Sequence, residues 1–130
     1  MDEEDNVIGE EETLLITATD LDLESAYALA RSYGAAAYPA HIDRESNGII
    51  SILGSMPIEP NFSVVEYNDR SNAEEYTAKY GLEGKLVLCS SDAHNLWTIN
   101  EAVNTLRIDD EPYSSALVRK RLIEMLTEGV

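Results

Sequence analysis

Cysteine is nearly missing from this chain. The single Cys89 excludes an internal disulfide and a zinc site built from several thiolates. It lies in an apolar run, where a lone cysteine reads as a small buried hydrophobe rather than a nucleophile. Basic side chains are scarce too: nine lysines and arginines face 25 acidic residues, a net charge of -16. A negative potential of that size repels phosphate backbones and anionic bilayers, so nucleic-acid binding is not expected. No apolar run approaches the ~20 residues of a membrane-spanning helix, and Asp2 to Asp5 stand where a signal peptide would carry basic and apolar residues. The expected location is cytoplasmic. Also missing are a Gly-x-Ser-x-Gly elbow, a Walker loop, a dinucleotide fingerprint and any internal repeat. No catalytic nucleophile is assigned.

What remains is a composition ordinary for a folded domain, with 44% hydrophobic residues in 130. Residues 1–12 are rich in acid and free of base, which predicts a solvated arm; 13–130 form the domain. Thr13 to Ala18 reads as a short strand. Asp22 caps a predicted helix from Leu23, with Leu23, Ala26, Tyr27 and Ala30 on its apolar stripe and Gly34 as its stop. Ala35 to Ala40 is a continuous apolar run, expected of a parallel strand covered on both faces, with Pro39 toward its end. Gly48 to Leu53 fits one helical turn. Phe62 to Tyr67 and Lys85 to Cys89 are further strands, with a helix at about Asn72 to Lys79 between them. Trp97 is expected to be a packing residue. Asn104 to Ile108 fits either a strand or part of an irregular stretch with one turn, and a last helix is predicted over Ser115 to Thr127, with Val118, Leu122 and Met125 inward. The alternation of strands and helices gives an α/β class with a mainly parallel sheet of four to five strands and three main helices.

In such sheets functional groups gather beyond the carboxyl ends of the strands. The only two histidines, His41 and His94, both fall there, and Asp92 precedes His94 by two positions. Strand alternation would put Asp92 and His94 on one face. Imidazole and carboxylate donors together suit Zn, Mn or Fe, although a hydrogen-bonded carboxylate and histidine at a strand end is an equally ordinary reading. Glu66 is a weaker fourth donor, with Asp43 and Asn68 behind it, and Arg44 is a candidate for a phosphate, or for a surface ion pair with Asp43 or Glu45.

Three segments carry a family resemblance. Tyr38-Pro39-Ala40-His41-Ile42-Asp43-Arg44, Gly48-Ile49-Ile50-Ser51-Ile52-Leu53-Gly54 and Ser90-Ser91-Asp92-Ala93-His94 resemble the third and fourth motifs of the PHP (polymerase and histidinol phosphatase) family. The opening run, 1–10, is similar to a mid-chain segment of small PHP proteins from anaerobic bacteria. The resemblance implies a distorted seven-stranded β/α barrel that binds divalent metals and hydrolyses phosphate esters, here of a small phosphorylated metabolite or nucleotide. It implies His41, Asp92 and His94 as metal ligands and does not support Glu66. No His-x-His motif precedes His41, so the resemblance covers only the carboxyl-terminal half of such a domain, as a truncated or internally started product or a gene fragment. The metal site is then incomplete and activity weak or absent. The unpaired sheet edges of a half barrel predict a homo-oligomer. The alternative expectation is a non-catalytic α/β assembly module with structural histidines.

Overall fold

The computed structural model describes residues 2–14 and 18–129. Its elements in chain order are α1 (Leu23–Ser32), α2 (Ile49–Leu53), β1 (Val64–Tyr67), α3 (Ala73–Tyr80), β2 (Leu86–Cys89) and α4 (Ser115–Glu128), with 3-10 turns at Arg70–Asn72 and Leu96–Thr98. The described residues form a mixed α/β structure with four α-helices and a two-stranded parallel sheet. Val64 pairs with Leu86 and Tyr67 with Cys89. Val64, Val65 and Tyr67 are each at most 1% exposed. Consecutive residues buried on both faces are what a central parallel strand requires.

The core is small. Ile42, Ile50, Val65, Tyr67 and Leu82 form one cluster, with Met56, Tyr76 and Val87 packed around it. Tyr27 of α1 meets Phe62 edge to face at 5.4 Å, and Tyr76 of α3 meets Tyr67 in the same way at 6.0 Å. Arg31 ties α1 to α4, donating to the Thr127 hydroxyl at 2.6 Å and to the Ala35 carbonyl at 3.1 Å. The helix ends follow their sequence signals. The Asp22 carboxylate accepts from the Ser25 N–H at 2.7 Å, and the Ser114 hydroxyl accepts from the Leu117 N–H at 3.0 Å. Gly81 and Gly129 close α3 and α4 in left-handed geometry.

The sheet departs from expectation: two strands are present among the described residues, against four to five predicted. Of the strand expected at Thr13 to Ala18, Leu15, Ile16 and Thr17 lie outside the described residues, while Thr13, Leu14 and Ala18 are in neither helix nor strand. Ala35 to Ala40 lies beside β1 but is not a regular strand. Glu66 donates to the Pro39 carbonyl at 3.2 Å and its own carbonyl accepts from the Ile42 N–H at 2.8 Å. A regular parallel ladder bonds one residue to two that flank a single neighbour. Here two residues, Ala40 and His41, intervene, and His41 absorbs the excess with a φ of 33°. Asn104 to Ile108 is irregular, and the region before it holds two turns, Leu96–Thr98 and residues 102–103. Trp97 is 84% exposed rather than packed. Residues 3–12 are exposed and belong to no helix or strand.

Candidate metal centre

β1 and β2 run in the same direction, so their carboxyl ends, with the end of the 35–41 segment, open on one side of the sheet. A cleft of about 230 Å³ lies there, lined by His41, Arg44, Ser46, Asn47, Asp92 and His94. The four residues singled out in the sequence as ligands or phosphate contact thus share one opening. Ser46 and Asn47 were not anticipated. The Asn47-Gly48 dipeptide is the signal that would have found them, because it marks a turn, and Asn47 indeed has a φ of 61°.

The route to this arrangement differs from strand alternation. β2 ends at Cys89, and Asp92 lies in a loop with a φ of 48°. That left-handed residue breaks the two-residue alternation, so the approach of Asp92 and His94 to the cleft comes from the loop's own turn rather than from a shared strand face. The His94 ring supports the turn: its Nδ1 lies 2.8 Å from the Asp92 carbonyl. A carbonyl can only accept, so Nδ1 carries the proton, and in the neutral ring Nε2 keeps its lone pair. This is how a backbone carbonyl orients an imidazole for a cation at Nε2.

His41 contributes a nitrogen of another kind. Its Nδ1 is buried and has no hydrogen-bond partner among the described residues, a costly arrangement in an apolar setting and one that a ligand would relieve. Asp92 forms an ion pair and hydrogen bond with Arg44. Arg44 therefore takes Asp92 as its partner, rather than its sequence neighbours Asp43 and Glu45.

The loop carrying His41 and Arg44 is held from below by Asp43. Its carboxylate accepts from the N–H groups of Asn68 at 2.7 Å and Asp69 at 2.9 Å and from the Asn72 side-chain amide at 2.9 Å. Partial burial works to raise the Asp43 carboxyl, but these donors outweigh it and hold the group below its ordinary value. The Asn68 amide donates in turn to the Ser91 carbonyl at 3.2 Å and more loosely to that of Ser90 at 3.4 Å. One network thereby links the loop after His41, the end of β1 and the loop leading to Asp92. Asp43 and Asn68 stand behind these loops as supports, not as donors to the cleft.

Glu66 is separated from this group. It lines a different cleft, with Tyr38, Arg70 and Ser90. Burial, followed by the Glu66 charge, raises the Tyr38 phenol. Cys89 is half-buried, with its Sγ 3.7 Å from the Asn68 carbonyl. Among the described residues no three His, Cys, Asp or Glu side chains are close enough together to hold a metal ion as they stand. The donor types of the cleft nonetheless suit one: the His94 ring with Nε2 keeping its lone pair, the His41 ring and the Asp92 carboxylate. Comparison of the chain with family models, curated proteins and solved structures finds no match.

Proposed function

We propose that this chain carries the third- and fourth-motif ligands of a PHP-type, metal-dependent phosphoesterase, as the carboxyl-terminal part of a β/α barrel. The substrate class is a small phosphorylated metabolite or nucleotide. The observation that carries the reading is the cleft in which His41, Asp92, His94 and Arg44 meet beyond the ends of parallel strands. His41, Asp92 and His94 would hold Zn, Mn or Fe. Such a cation supplies an acidified water and charge stabilisation for the leaving oxygen. The chain's own part is to present the donors and bind the ester. The carbonyl of Asp92 fixes the His94 ring, and the Asp43 network fixes the loop bearing His41. Arg44 is the one guanidinium or ammonium group in the lining of this cleft. With Asp92 engaged as a ligand, the Arg44 guanidinium would be free to hold two phosphate oxygens. A chain with three ligands binds such a cation weakly and turns over slowly.

The test is hydrolysis of p-nitrophenyl phosphate with and without Mn, in the native chain and in His94→Ala. Ligand loss should cost at least about tenfold, since even outer contacts to metal ligands are worth 10–100-fold. Turnover that ignores both Mn and the substitution would refute the site.

The Arg44–Asp92 pair favours a second reading. A carboxylate already neutralised by a guanidinium suits a non-catalytic α/β assembly module whose histidines are structural. That reading predicts no rise in melting temperature on adding Zn. Homo-oligomer formation through unpaired sheet edges belongs to both readings.

A further inference from the structure

The polar cleft is not isolated. A larger cavity of about 500 Å³ lies between α1, the 35–41 segment and α2, and its lining includes His41 and Asn47, the same two residues that line the polar cleft. Apart from those two, every lining side chain is aliphatic or aromatic, with Tyr27, Tyr38 and Phe62 as the aromatic walls and Ile52 on the rim. The edge-to-face packing of Tyr27 on Phe62, with rings at 89°, sets one wall. A volume of this size, mostly apolar and with a few polar groups at one end, has the form of a small-molecule site. A bare phosphate would occupy only the polar end and leave the apolar walls wet.

We infer that the ligand of this site is amphipathic: a phosphate monoester whose phosphate reaches Arg44 in the polar cleft while an apolar, preferably aromatic, group fills the adjoining cavity past His41 and Asn47. The inference rests on the phosphoesterase reading and adds the substrate class to it. His41 stands at the junction of the two compartments, and its buried Nδ1 has no hydrogen-bond partner among the described residues. The apolar compartment supplies affinity without charge, which matters in a chain whose net charge of -16 opposes anions.

The experiment is calorimetric titration of the full chain, with Mn present, by three non-reacting probes: methylphosphonate, phenylphosphonate and benzyl alcohol. Phenylphosphonate should bind at least about tenfold more tightly than methylphosphonate, the gain expected from burying one aromatic group. Ile52→Glu, on the exposed rim of the cavity, should abolish that preference. Arg44→Gln should weaken both phosphonates alike. Equal affinity for the two phosphonates overturns the inference and leaves the phosphoesterase reading intact. Benzyl alcohol binding as tightly as phenylphosphonate also overturns it, since the cavity would then act apart from the polar cleft. Failure of all three probes to bind overturns both. If Ile52→Glu instead dissolves an oligomer seen by light scattering, the cavity is covered by a second copy and the inference falls.

Discussion

Asp43 decides whether the residues of the cleft stay where they are. Three donors converge on its carboxylate, and removing it takes the acceptor from all three. Asp43→Ala should therefore cost about 2 kcal/mol, as expected for losing hydrogen bonds to a charged group, measured as a fall in the urea midpoint. The pH dependence follows from the direction of its shift. Because the folded carboxyl lies below its ordinary value, the stability it contributes is complete above the unfolded pKa of about 4. It is lost as the pH drops through the lower, folded value. Between pH 5 and pH 3 the native chain should lose more melting temperature than Asp43→Asn. Equal losses would show that the carboxylate is not what the fold holds.

At the scale of elements, α2 and the loop before it are locked together by a glycine. A side chain at Gly48 would place its first carbon 2.8 Å from the Arg44 carbonyl oxygen and 3.1 Å from that of His41. Both are backbone atoms of the loop that carries His41 and Arg44, so they can give way only by moving that loop. Gly48→Ala should destabilise the chain by roughly 1–3 kcal/mol, the usual range for overpacking, and weaken metal binding as well; unchanged stability would contradict the close packing. The helices and the two ladder strands were legible because their signals are local: Asp22 and Ser114 as caps, Gly81 and Gly129 as stops, and the apolar runs at Val64 and Leu86. The 35–41 segment was not legible as observed. Its composition is that of a buried strand, but Pro39 has no N–H and His41 takes a positive φ, so the ladder fails on its own residues. Four of the six residues lining the cleft, His41, Arg44, Asp92 and His94, could be read from residue type; Ser46 and Asn47 could not. The manner of assembly could not, since the left-handed Asp92 and the Arg44 partnership depend on tertiary contacts.

The whole molecule has more surface than its mass warrants. It exposes 9949 Å² at 14.4 kDa, whereas a compact monomer of that mass exposes about 6,800 Å². Val7, Ile8, Ile58, Leu96, Trp97 and Tyr113 are each at least 70% exposed. The proposed homo-oligomer would cover part of this apolar surface. Static light scattering should report a dimer or larger at micromolar concentration, and a monomer at every concentration would refute this. Among the described residues no helix is long and apolar enough to cross a bilayer. The central claim, that His41, Asp92 and His94 are donors to one cation, is tested most directly by calorimetric titration with Zn of the native chain, His41→Ala and His94→Ala. The account predicts one saturable site in the native chain, weakened at least about tenfold by either substitution. Binding that is the same in all three proteins, or no binding in the native chain, would contradict it.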